Sequence, residues 1–371
     1  MEYWALCWPP RSSCESPIQS YCVTRCVATG PDFGFGSHHS AQSTSSLPRQ
    51  VSEITGIAVA KSPGPSEEIY VYFHDRAGNV WERTYLNSTL GVSGDRASYQ
   101  SLVTDAIPLD SPLAAVSFLE YGQPMRQIFF VNSEGMVSTM STSSDPSLTP
   151  AAWSTPSVIS ENPAMAGSRT GLAACSDRIS LNRTMVFYGS PDGGVEELTW
   201  HFDNPKLNWI NSSYFDWADA ASGIACVVNV QQHLDRSSVN IYMRHEQHGA
   251  LQQVFRPLVA DGTQSSWRFG SGNLKMEKTS SLAACSDRSG RQFIFHQLNN
   301  GSIQRVEVGV EPSNGFKTYK VVQDGAHRTS LAAIDASDGA LVFFRDPKDP
   351  LSIRGKDMTD AQAQVFEMKI P

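Results

Sequence analysis

The chain is poor in concentrated charge. Lys and Arg number 29 against 37 Asp and Glu, a net charge of −8, and only 18% of its 371 residues are charged. No basic cluster is present of the kind that gripping a phosphate backbone requires, so nucleic acid is excluded as a partner. No apolar run approaches the roughly 20 residues that cross a bilayer, which excludes a helical membrane span and predicts a soluble chain. Catalytic signatures are missing as well. Gly-x-Ser-x-Gly is absent: at the nearest approach, Gly270-Ser271-Gly272, the outer glycine places hold Phe269 and Asn273. There is no Cys/His zinc spacing and no phosphate-binding glycine loop, so neither a metal nor a cofactor is expected.

What is present is a globular balance, 40% hydrophobic and 10% aromatic. The seven cysteines divide into two groups. Cys7, Cys14, Cys22 and Cys26 lie in residues 1–50, a segment rich in Ser, Pro and Gly that predicts little structure and reads as a leader or a poorly ordered arm. Cys175, Cys226 and Cys285 each close a small apolar run, where they read as buried core residues too far apart to bond. Asn87-Ser88-Thr89, Asn182-Arg183-Thr184, Asn211-Ser212-Ser213 and Asn300-Gly301-Ser302 are sequons, and four together point to glycosylation in the secretory pathway or in a secreted protein. Residues 1–10 argue the other way, with no basic start and Pro9-Pro10 interrupting the apolar stretch.

Residues 51–371 repeat themselves. A small-residue run recurs as Ile57-Ala58-Val59-Ala60, Leu113-Ala114-Ala115-Val116, Leu172-Ala173-Ala174-Cys175, Ile224-Ala225-Cys226-Val227, Leu282-Ala283-Ala284-Cys285 and Leu331-Ala332-Ala333-Ile334. Each is followed by a β-branched and aromatic run such as Val71-Tyr72-Phe73 or Val342-Phe343-Phe344. In five units a polar turn with Gly78, Gly135, Gly193, Gly249 or Gly301 leads into a third apolar run. Tryptophans 153, 209 or 217, and 267 mark a fourth strand, and Val365-Phe366-Glu367-Met368 reads as the strand that completes the last unit. Small residues on the first strand suit the crowded centre of a radial array. The expected fold is therefore all-β, a six-bladed β-propeller of four-stranded antiparallel blades.

The Leu-Ala-Ala-Val strand, the aromatic strand, the glycine turn and the apolar third strand together resemble the fungal fucose-specific lectins over all six units. That resemblance implies a sugar held between blades by an Arg just before the aromatic strand, a Glu twelve residues later, and aromatic rings. The arginine places fall on Tyr70, Gln127, Met185, Ile241, Phe293 and Leu341, none of them arginine. The glutamate places fall on Glu82, Thr139, Glu197, Gln253, Arg305 and Ile353. Arg126 is one residue out of place, which turns its side chain to the opposite strand face. The sugar chemistry thus reads as removed from every blade.

A propeller with lectin-like repeats and lost sugar ligands also resembles the fungal hetero-Diels–Alderases that join a tropolone-derived quinone methide to a humulene-type sesquiterpene. The resemblance implies a cofactor-independent cycloaddition in secondary-metabolite (meroterpenoid) biosynthesis, acting on small apolar substrates. A homodimer is the expected assembly. Such a site needs oriented apolar walls and a hydrogen-bond donor at the tropolone oxygen. Arg169 and Arg328, just before the inner strands of units three and six, are the candidate donors nearest the axis. His74, His245, His296 and Arg345 lie at or near the turn after the aromatic strand, where they are expected to converge on one mouth. Of these, His245 and His296 join the two arginines as candidate catalytic groups. Tyr70, His74, Trp81, Met185, Trp267, Phe293 and Arg345 are the candidate substrate walls. The alternative function is a secreted carbohydrate-binding lectin with altered sites.

Overall fold

In the computed structural model the chain divides into two units, Met1–Ser40 and Ala41–Pro371. The structure describes residues 52, 55–63 and 68–368, except 87–97, 104–106, 121–122, 143–151, 166–170, 178–181, 203–207, 231–236, 259–264, 288, 309–314, 337–338, 350–351 and 359–364. The expected irregular N-terminal segment with its four cysteines, the Asn87 sequon and Arg169 lie outside the described residues.

The second unit is a six-bladed β-propeller. Runs rich in small residues form the inner strand of each blade: β1 (Ile57–Lys61), β5 (Leu113–Glu120), β9 (Leu172–Asp177), β13 (Ala225–Asn229), β18 (Leu282–Ser286) and β22 (Ala332–Ala336). Three further antiparallel strands follow each in sequence order, so that blade 1 is β1-β2-β3-β4 and blade 6 is β22-β23-β24-β25. Every blade is therefore one continuous stretch of chain. The strand expected at Val365–Met368 is the outer strand of blade 6. In blade 4 the outer strand is split into β16 (Arg268–Phe269) and β17 (Leu274–Lys275) around Gly270-Ser271-Gly272.

The core is six separate wedges, one between each pair of neighbouring blades. Ring closure uses the same device as every other interface, because no strand is exchanged between first and last blades. Ile57, Val71, Phe73 and Trp81 of blade 1 pack on Ile334, Leu341, Phe343 and Ile353 of blade 6. The Lys61–Asp335 ion pair at 2.8 Å also spans this seam, but it is partly exposed and contributes little beside the apolar wedge.

At the axis the inner strands nearly touch. A Cβ on Gly171 would sit 2.5 Å from the Ser222 carbonyl oxygen, and one on Gly223 would sit 2.6 Å from that of Ser280. This closeness corrects the expectation that equivalent cysteines on separate blades lie too far apart. Cys175 and Cys226, with Cα atoms 5.9 Å apart, form a disulfide between blades 3 and 4, while Cys285 is free and buried as expected. A second recurring device was present in the sequence but unread. In four blades, 1, 2, 5 and 6, the hydroxyl before the inner strand accepts the backbone N–H at the end of the second strand: His74 to Thr55, Val131 to Ser111, Gln297 to Ser280 and Arg345 to Thr329, at 2.7–3.0 Å.

Pairing registers also revise the histidines. His74, Arg244, Gln297 and Arg345 are equivalent, whereas His296 pairs with Leu282 and so occupies the place of Phe73, Phe130 and Phe344. His74 and His296 are fully buried, and burial holds each imidazole down at about 4. An imidazole whose folded value lies below its unfolded 6.5 takes its proton more readily when unfolded. Stability is therefore complete above pH 6.5 and is lost as pH falls toward 4, by at most ~3 kcal/mol per histidine. The His296→Phe substitution, which installs the residue other blades use, is expected to flatten the pH dependence of urea unfolding across that window. A slope unchanged in His74→Phe/His296→Phe would contradict this assignment.

Candidate functional site

The wedge between blades 1 and 2 contains the first polar cluster. Glu82, on β3 (Val80–Leu86), points at blade 2, and its Oε2 accepts from Tyr72 Oη at 2.8 Å. Arg126, on β6 (Gln123–Val131), reaches back across the wedge with Nε 2.9 Å from Glu82 Oε2 and Nη2 3.2 Å from Oε1. Its guanidinium lies 4.3 Å from the centre of the Tyr70 ring and 5.9 Å from that of Trp153. Burial pushes the Glu82 carboxyl above its ordinary range against the pull of Arg126, and it pushes the Tyr70 phenol up to about 12. The one-residue displacement of Arg126 turns it away from its own blade's site and into the preceding blade's. The expectation that Glu82 has no arginine is corrected.

The wedge between blades 3 and 4 repeats the chemistry by another route. Glu197, on β11 (Val195–His201), accepts two bonds from Arg256, on β15 (Ala250–Pro257), at 3.2 and 2.9 Å. Trp267 Nε1 donates to Glu197 Oε2 at 3.0 Å, and its ring lies 4.0 Å under the Arg256 guanidinium. This wedge also encloses Arg183, fully buried, whose guanidinium is held down at about 10 by burial and by neighbouring Arg256. The two clusters differ in exposure: the side chains of Arg256 and Glu197 are 1% and 0% exposed, those of Arg126 and Glu82 12% and 4%. The second is sealed. The edge of the first meets solvent.

Blade 4 corrects the sequence register. Six residues, 245–250, separate Arg244 from its partner Leu251, against five, 75–79, between His74 and Val80. Counting back from Gly249 therefore lands one residue late. Asn240, not Ile241, occupies the arginine place, and Gln253 Nε2 donates to its Oδ1 at 3.0 Å. The remaining arginine places, at Gln127, Met185, Phe293 and Leu341, are buried in their wedges, as is Ile241 itself. Met185 and Phe293 are thus packing residues and not walls of an open apolar cleft. Trp81 is also core, bonded through Nε1 to Asp75 at 2.9 Å. His245 is partly buried against Trp217 and His248 at the blade 4 turn. His74, His245, His296 and Arg345 do not converge. Only Arg345 reaches the axis.

There the loops before the inner strands surround a cavity of about 320 Å³. Arg328 and Arg345 line it together with His327, Asp110 and the first residues of the inner strands, among them Leu172 and Ile224. Among the sequon asparagines, Asn211 donates from Nδ2 to Glu196 at 3.1 Å, while Asn300 is exposed on its turn.

Comparison with solved structures finds the same fold in several lectins. No family profile matches the chain, and no curated protein sequence does. The fucose-specific lectin of Aleuria aurantia superposes with a TM-score of 0.67 at 16% identity, covering 87% of this chain and 99% of that one. AofleA from Arthrobotrys oligospora superposes at 0.66 with 11% identity, covering 89% and 92%. The lectin BP39L from Burkholderia pseudomallei reaches 0.57 at 15% identity, covering 86% and 84%. At these identities the likeness establishes the fold, a six-bladed β-propeller.

Exposure separates the two ion pairs energetically. Removing one partner of a fully buried pair strands a charge at a cost of roughly 3–5 kcal/mol, whereas a pair in contact with water loses much less. Glu197→Gln is expected to lower the unfolding free energy by about 3 kcal/mol or more, and Glu82→Gln by about 1 kcal/mol, in urea titrations. Equal losses would show that both wedges are equally sealed.

Proposed function

We propose that this propeller is a carbohydrate-binding module of the lectin type with one competent cleft, between blades 1 and 2. The observation that carries this is the reassembly of Arg126, Glu82 and two aromatic rings at a solvent-reached wedge edge. A guanidinium fork donates to vicinal hydroxyls and a carboxylate accepts from them, while an aromatic ring covers a pyranose C–H face. The related lectin folds include a structure with α-methyl-L-fucoside bound, which makes fucose the first sugar to test. A single cleft gains nothing from avidity, so the affinity of one site governs binding. Disulfide formation between Cys175 and Cys226 and the exposed Asn300 sequon fit an oxidising, secretory location.

A second reading, the hetero-Diels–Alderase, is favoured by the axial cavity, where two arginines meet leucine and isoleucine side chains. A cycloaddition asks only for orientation and a donor where charge grows, and Arg328 and Arg345 have the donor chemistry. The packed arginine places lend it no support. Titration calorimetry with methyl α-L-fucoside is expected to give one site per chain, weakened at least tenfold by Glu82→Gln and unchanged by Arg328→Gln. No binding at millimolar sugar, together with acceleration of a quinone methide–alkene coupling that Arg328→Gln abolishes, would reverse the order of the two readings.

A further inference from the structure

We infer that the axial cavity is a binding site for a small amphiphilic anion, an apolar body carrying one carboxylate-like head, independent of whether the blade 1–2 cleft takes a sugar. The cavity has two chemically distinct parts. Leu113, Leu172, Ile224, Leu282 and Leu331, at or just before the start of the inner strands, line it from five of the six blades, each also packed into a wedge between blades. Each strand enters the blade from this end, so these residues lie deeper than the loops that precede them. At about 320 Å³ the space falls within the range of small-molecule pockets, roughly 300–1,000 Å³.

The polar part is asymmetric. Arg328, Arg345 and His327 come from blade 6, and Asp110 enters from the loop leading into blade 2. The exposed guanidinium of Arg328 attracts an anion, and Asp110 disfavours placing that anion on its own side. A ligand head is thereby directed to blade 6 while its apolar body reaches the leucines. Glu277 lines an adjoining pocket of about 140 Å³ that Arg328 also borders, which leaves the head's place on the main-cavity side of Arg328.

Backbone geometry at Arg328 is a separate indication. Its φ is 58°, in the left-handed region that disfavours a side-chain-bearing residue. Buried Arg345 holds this turn in place, donating from Nη2 to the His327 and Arg328 carbonyl oxygens at 3.2 and 3.4 Å. Thr329 N–H is fixed on Gln297 Oε1 at 3.0 Å. Glycine would satisfy this turn without strain. Strained conformations that the surroundings enforce concentrate at ligand sites, and here the strained residue is the one exposed cation at the cavity mouth among the described residues lining it. Arg345 is the positioning residue and Arg328 the ligand-contacting one.

The test uses three probes of equal chain length with the full chain: octanoate, 1-octanol and octylamine, each titrated by calorimetry and by saturation-transfer NMR. Octanoate is expected to bind at least tenfold more tightly than octanol, with octylamine the weakest. Arg328→Gly, which relieves the turn, is expected to keep or raise the melting temperature while bringing octanoate to parity with octanol. Arg328→Lys is expected to retain most of the preference, and it serves as the informative variant should the glycine chain fold poorly. Equal binding of octanoate and octanol by the unsubstituted protein, no binding of octanoate at millimolar concentration, or an octanoate preference that survives Arg328→Gly would each overturn the inference.

Discussion

A carboxylate inside a blade wedge must be matched by a cation or by hydrogen-bond donors, as Tyr188 and Asn211 match Glu196, and for Glu82 and Glu197 the dependence of this structure on that constraint is visible in where the cations come from. Glu82 and Glu197 sit on third strands that face a neighbouring blade. Each is answered across the wedge, Glu82 by Arg126 and Glu197 by Arg256. Leaving either carboxylate unpaired in an apolar wedge costs several kcal/mol, whereas a same-blade arginine is only one way of avoiding that cost. Two blades therefore become coupled at each of these two glutamates. Where none is kept, the wedge closes with amides, as at Asn240 and Gln253, or with apolar side chains such as Leu341 and Phe293.

The same pairing yields opposite outcomes according to packing. Around Glu197, Trp267 and Arg256 stack and bond so fully that the cluster serves as a staple between blades. Around Glu82 the guanidinium lies between Tyr70 and Trp153 with an edge in reach of solvent. The sealed pair and the solvent-reached pair thus use one set of residue types and differ in residual exposure. The axial cavity is a third environment, created because converging inner strands leave room only for Gly, Pro or Ser just before each strand.

Much of this was legible in the sequence because blades are local. The small-residue strand, the aromatic strand and the glycine turn are contiguous, and their recurrence alone specifies six antiparallel units. Contacts between blades were not legible. Arg126 and Glu82 are 44 residues apart and Arg256 and Glu197 are 59 apart, so their pairing depends on which face each strand turns to its neighbour. Reading Arg126 as misplaced was right about its face and wrong about the consequence, because that face meets the preceding blade. The Ile241 assignment failed through one extra residue in the blade 4 turn. His296 was grouped with His74 by proximity to a turn, although pairing places it one step earlier in the strand. The Ser or Thr before each inner strand was a readable signal that went unused.

On the proposed reading, a cross-blade arginine rebuilds a sugar-competent cleft at one wedge and a closed staple at another. A crystal structure of the chain soaked in methyl α-L-fucoside tests it most directly. The account predicts sugar density between blades 1 and 2, with hydroxyls on Arg126 and Glu82 and a ring face on Tyr70 or Trp153, and none between blades 3 and 4. Sugar bound at Glu197 and Arg256, or a blade 1–2 wedge that stays closed at saturating sugar, would contradict it.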